Sequence, residues 1–208
     1  MTAATRLTLS GRSTDRLERL APALGDRVVG TLSADVVAPD APDRLVRAAY
    51  ESLGRLDGAV YAAGVVAFGD LVDLDDDVLD QLVLVILMAP IRIARAAARI
   101  LSAGGFVANL SAVVAEQPAK GMAAYSATKA GLTAFDKAAA AGVPPPTDPG
   151  DRHPPDAHRD GSGEPAHRRA LAQASPGRSP LDVADRIVAA IAGDEKDLPA
   201  ACFQNPPT

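Results

Sequence analysis

Tryptophan is absent from this 208-residue chain, and tyrosine and phenylalanine number only 3 and 4. Aliphatic side chains must therefore fill whatever core forms. Hydrophobic residues make up 48% of the chain, enough for one large domain with a real interior. Cys202 is the only cysteine, which excludes an internal disulfide and makes a reducing cytoplasm the natural setting. A basic patch is also missing. The net charge of -5 argues against a nucleic-acid surface. No long apolar run is present either: the most apolar stretch, Leu82 to Ile91, is too short to span a bilayer, and the N-terminus lacks the charged-then-apolar pattern of a secretion signal.

What remains is a regular alternation. Arg6 to Ser10 alternates apolar and polar residues as a strand does, and Gly11 ends it. Ser13 or Thr14 caps a helix running to about Leu24. Arg27 to Leu32 reads as a second strand and leads into Ser33-Ala34-Asp35-Val36. Ala41 to Leu53 is an amphipathic helix closed by Gly54. Leu56 to Ala62 is a third strand. Leu74 to about Leu101 reads as one long helix, acidic at its start and arginine-bearing later, as the helix dipole favours. Gly105 to Leu110 is a fourth strand, and a helix containing Tyr125 follows. Strand and helix in alternation predict a parallel sheet covered on both faces. Ligands of such sheets sit beyond the carboxyl ends of the strands, where Arg12, Asp35, Gly64 and Ser111 all fall.

Tyr125 and Lys129 are four residues apart, so on a helix they share one face. A free phenol has a pKa of about 10 and is a poor proton donor or acceptor near neutrality. A neighbouring ammonium stabilises the phenolate and brings the group towards acid–base work.

From Leu7 to about Lys137 the chain resembles the short-chain dehydrogenase/reductases, Rossmann-type oxidoreductases that use NAD(P). The resemblance rests on Ser10-Gly-Arg12, Ala34-Asp35-Val36, Tyr61-Ala-Ala-Gly64, Asn109-Leu-Ser111 and Tyr125-Ser-Ala-Thr-Lys129. It implies an α/β fold with a doubly wound parallel sheet. It also implies hydride transfer to or from a ketone or secondary alcohol, with Tyr125 as general acid/base. Lys129 would lower the tyrosine pKa and hold the nicotinamide ribose, and Ser111 would orient the substrate oxygen. Asp35 matches the adenine contact and Gly64 the glycine turn beneath the adenosine. Arg12 stands at the end of the first strand, where an acidic residue would accept bonds from the NAD ribose. A guanidinium there suits a 2′-phosphate, so NADP is expected ahead of NAD.

The chain also departs from the family pattern. Ile86 occupies the place of the asparagine that holds a relay water, and Ala62 that of the turn asparagine. The usual spacing before the tyrosine lands on Ala112, leaving Ser111 one residue away; one step along a strand turns a side chain to the other face. The family's first strand and its glycine-rich turn have no counterpart, so the Rossmann-like sheet is expected to be incomplete and truncated. Without that turn the pyrophosphate lacks its backbone N–H cradle, and cofactor binding is expected to be weak.

Three segments follow from this reading. Residues 1–141 form a partial Rossmann-type domain, and residues 181–208 a terminal helix and tail of the same domain. Residues 142–180, rich in proline, arginine and aspartate, are expected to form neither strand nor packed helix and to be disordered. Read one nucleotide later with suitable synonymous codons, part of that segment becomes IRVTGIRPTHTETG, which resembles a family strand and turn, so compensating frameshifts are a further expectation. His153, His158 and His167 fall there with Asp156 and Asp160, at spacings that match no metal motif.

Two functions remain in view. One is an NADP-preferring, cytoplasmic oxidoreductase acting on a small carbonyl or alcohol, without nucleic-acid or membrane partners. The other is a non-catalytic or degraded relative. In both, the helices that the resemblance places between subunits, the one containing Leu82 to Ile91 and the one containing Tyr125, offer a homo-oligomer interface.

Overall fold

The computed structural model describes residues 5–142, 168–174, 185, 188–189 and 197–198. Strand β1 (Leu7–Gly11) leads into helix α1 (Thr14–Leu24), whose Ser13 cap accepts a bond from the Arg16 amide. Strand β2 (Val28–Ser33) and helix α2 (Ala41–Leu53) come next, and α2 ends on Gly54 in the left-handed conformation glycine tolerates best. Strand β3 (Gly58–Tyr61) is followed by an irregular loop. Helix α3 (Asp76–Leu82) then starts at Asp75, whose side chain caps the Asp77 amide. The expected single long helix is interrupted: residues Val83–Met88 form a wider π turn before α4 (Ala89–Ala98) resumes. Strand β4 (Phe106–Ala112) and helix α5 (Ala123–Gly142) complete the well-packed part.

All strand pairs are parallel, as the alternation predicts, but they form two separate sheets. One has the order β2-β1. The other is β3-β4-β5-β6, with β5 at Arg168–Ala174 and β6 at Asp197–Leu198. Among the described residues β1 and β3 each keep one edge without a ladder partner, so the Rossmann-like sheet is incomplete. The sheets share one support. A single apolar cluster joins Ala34, just beyond β2, with Leu45 and Val46 of α2, Tyr61 of β3, and Ala89, Ile93 and Ala97 of α4. Packing across helices, not a backbone ladder, unites the two halves.

Strand β5 corrects the expectation that nothing regular forms between 142 and 180. Arg168 to Ala174 contains no proline, and it adds to the open edge of β4 over seven residue pairs. A composition window dominated by flanking prolines hid a proline-free strand. The remainder of that segment, including all three histidines, lies outside the described residues. So does most of the terminal helix, of which Asp185, Val188 and Ala189 are helical.

Candidate active site

Helix α5 carries a stripe at Tyr125, Lys129, Thr133 and Asp136, which helical periodicity aligns on one face. The last three are buried against β4. Asn109 donates to Asp136 Oδ1 at 2.7 Å, and the Ser111 and Thr133 hydroxyls are 2.9 Å apart. Lys129 Nζ donates to the Leu110 carbonyl at 2.7 Å. This pairing fixes the helix along the strand and leaves Tyr125, one turn earlier, at the carboxyl end of β4. Tyr125 is half-buried, and Lys129 Nζ lies 5.8 Å from its ring centroid.

The Ser111 hydroxyl, expected to orient the substrate oxygen, is engaged inside the fold. Asn109 and Ser111 share the face of β4 that meets α5, and the Ser111 hydroxyl is taken up by Thr133, with Lys129 O at 3.4 Å. Strand parity turns the neighbouring Ala112, at the spacing the family gives its serine, to the opposite face of β4.

The electrostatics also differ from expectation. Burial raises the Tyr125 pKa above its ordinary 10, and burial lowers Lys129 from 10.5 to about 8. The ammonium is directed at a main-chain carbonyl, so in this arrangement desolvation outweighs its pull on the phenol. Tyr125 is consequently a neutral hydrogen-bond donor at neutral pH.

Arg12, Asp35 and Gly64 follow the ends of β1, β2 and β3, and all three are exposed. Arg12 makes no ion pair among the described residues. Asp35 Oδ1 accepts the Val37 amide at 3.2 Å in a tight local turn. A feature the sequence did not disclose ties these ends together. The buried Tyr61 hydroxyl donates to the Val85 carbonyl, inside the π turn, at 2.7 Å. Its pKa is pushed up first by burial and then by the Asp35 carboxylate, and Ala34 beyond β2 packs in the same apolar cluster as Tyr61. Ile86, next to that carbonyl, is 1% exposed and faces the core, so no polar side chain serves the π turn at this position.

Beside Tyr125 lies a small hollow of about 20 Å³, between the loop after β3 and the start of α5. The Gly69 amide donates to the Gly121 carbonyl at 2.9 Å and pins the two walls together. Neither wall was legible as a site, because Phe68, Leu71 and Met122 carry no motif.

Residues 3–145 match the family model described as enoyl-(acyl carrier protein) reductase. The chain belongs to the short-chain dehydrogenase/reductase family. The cyclic-di-GMP-binding biofilm dispersal mediator protein of Escherichia coli is 37% identical over 128 residues, covering 61% of this chain and 51% of that protein. This chain therefore spans about half the length of that curated relative. A short-chain dehydrogenase of Mycobacterium smegmatis superposes with a TM-score of 0.78 at 24% identity, covering 98% of this chain and 82% of the other. One from Burkholderia cenocepacia, solved with NADP, gives 0.72 at 22% identity and covers 94% and 86%. The two structural likenesses establish the fold. Among the described residues no helix is long and apolar enough to cross a membrane.

Proposed function

We propose that this chain is a carbonyl reductase of the short-chain type, in which Tyr125 delivers a proton to the oxygen of a ketone. The carrying observation is the half-buried phenol held neutral at the end of β4, in the wall of a hollow, with Lys129 one turn further along. A neutral acid beside a developing alkoxide favours reduction over oxidation near pH 7. Bound NADPH would supply the hydride. The residues present fit the two ends of such a cofactor: exposed Arg12, Asp35 and Gly64 at the adenosine end, and Lys129 at the ribose beside the nicotinamide. Arg12, free of any described ion pair, supports NADP over NAD.

In the reduction, the carbonyl carbon gains a hydride and its oxygen gains the Tyr125 proton, which solvent replaces. With Ala112 in place of a hydroxyl, Tyr125 is the side-chain donor that this reading gives that oxygen among the described residues. A cytoplasmic setting, and an oligomer joined through α3–α4 and α5, belong to the same proposal. The test is NADPH oxidation across a panel of ketones. A Tyr125→Phe variant must abolish any rate seen, or the rate does not come from this site.

A second reading is supported by Ile86 and by Ala112 with the inward turn of Ser111, two polar positions lost around one tyrosine. It takes the chain as a non-catalytic family member that binds a ligand. NADPH binding without turnover of any ketone or alcohol in the panel would decide for it.

A further inference from the structure

We infer that residues 66–80, the loop after β3 and the first turns of α3, form a docking surface for a basic amphipathic helix of a partner protein. Nine large hydrophobic side chains are exposed among the described residues, and five of them lie here: Val66, Phe68, Leu71, Val72 and Leu79. Single exposed apolar residues mean little, whereas such a concentration marks an interaction surface. Phe68 and Leu71, 74% and 73% exposed, line the same small hollow and so belong to one patch. The charge around them is of one sign. Asp70, Asp73, Asp75, Asp76, Asp77 and Asp80 are all exposed, and no lysine, arginine or histidine occurs from 56 to 91. None of these carboxylates makes an ion pair among the described residues. The complement of such a face is an apolar stripe flanked by cations, which a basic amphipathic helix supplies. A second copy docking through the same patch would set like charges against one another. Anionic lipid headgroups would be repelled in the same way. The inference does not depend on the reductase reading, since it uses an exposed face and no reacting group.

The probe is a dye-labelled helical peptide of leucine and lysine, with its leucines along one face, titrated with the full chain and read by fluorescence anisotropy. A peptide with glutamate in place of every lysine keeps the apolar face and serves as the charge control. The lysine peptide should bind at least about ten-fold more tightly than the glutamate one, and about 0.3 M salt should weaken it several-fold. Phe68→Ser with Val72→Ser should cost about ten-fold or more in affinity, through the apolar area removed. These side chains are 74% and 90% exposed, so the variant retains the fold. Asp70→Asn, Asp73→Asn and Asp80→Asn together should cost about five-fold or more. Asp75, which caps α3, is left in place. Glu18→Gln with Asp26→Asn, exposed acids outside the patch, should change nothing. Absence of binding, equal binding of the glutamate peptide, or an undiminished affinity in either patch variant overturns the assignment. An equal loss on neutralising Glu18 and Asp26 does the same. Capture by phosphatidylglycerol vesicles that Phe68→Ser abolishes would reassign the surface to a membrane, and a dimer lost with Phe68→Ser to a second copy; either overturns it.

Discussion

Replacing Lys129 by methionine should stabilise this protein at neutral pH, although it removes a hydrogen bond. The ammonium is 6% exposed, and its burial lowers the pKa from 10.5 to about 8. At about 1.4 kcal/mol per pH unit, that fall corresponds to about 3 kcal/mol of destabilisation when the group is charged in the folded state. The unfolded chain carries the proton up to pH 10.5, and the folded chain up to about 8. Stability should therefore rise as pH climbs from about 8 towards 10, because over that window the unfolded state binds more protons. Tyr61 and Tyr125 act with the opposite sign: their folded pKa values are raised, so their contribution declines only above pH 10. Methionine is of similar length and carries no charge, so it removes the penalty. The bond to Leu110 O is lost with it, offsetting about 1 kcal/mol. The expected outcome is a variant about 2 kcal/mol more stable at pH 7, converging on the wild type by pH 10. Urea melts at pH 7, 8, 9 and 10 read this directly. A wild type whose stability is flat from pH 7 to 10, together with a variant no more stable at pH 7, would refute the desolvation argument.

Ala112→Ser should place a hydroxyl on the face of β4 that Ser111 does not present; NADPH-dependent ketone reduction is expected to rise at least about ten-fold, since a positioned donor at a developing oxyanion contributes about 10²–10³. Ser111→Ala should leave that rate nearly unchanged while lowering the urea midpoint, as Thr133 loses its partner. Tyr61→Phe leaves the Val85 carbonyl of the π turn without its donor, and a loss of about 1–2 kcal/mol is expected in the same melts. Gly105→Ala brings a methyl group to 2.8 Å from the Ser102 carbonyl, which the backbone cannot yield; a cost of about 1–3 kcal/mol is expected.

Most of the fold was legible because its signals are local. Helix α2 is marked by an apolar stripe and by Gly54, and both its ends lie where the sequence places them. Strand ends shifted by a residue or two, as hydrogen-bond ladders extend or stop according to a neighbour that the sequence does not reveal. The π turn at Val83–Met88 was invisible because all six residues are apolar and fit any helical geometry. Its stabilising contact comes from Tyr61, 24 positions away from Val85. In the site, the spacing of Tyr125 and Lys129 alone was a weak signal, and the landmarks at the strand ends around it singled the pair out. The inward turn of Ser111 followed from strand parity, but its partner Thr133 did not. The direction of the tyrosine pKa was misjudged for a physical reason: spacing tells that an ammonium is near, not which oxygen it is aimed at.

These observations divide the molecule by how firmly each function is built. The half proposed to donate the proton rests on β4 and α5, locked through Asn109, Ser111 and Lys129 in one contiguous unit. The half proposed to face the nucleotide, with Arg12 and Asp35, rests on the two-stranded sheet, which meets the rest of the described structure through helix packing around Ala34 and Leu45. A packed helix interface tolerates small shifts more readily than a continuous ladder does. Changes in the α2–α4 interface should therefore weaken cofactor affinity before they disturb Tyr125. On the proposed reading, the acid is carried by the hydrogen-bonded unit of β4 and α5, while binding of the hydride donor depends on the more distant α2–α4 packing.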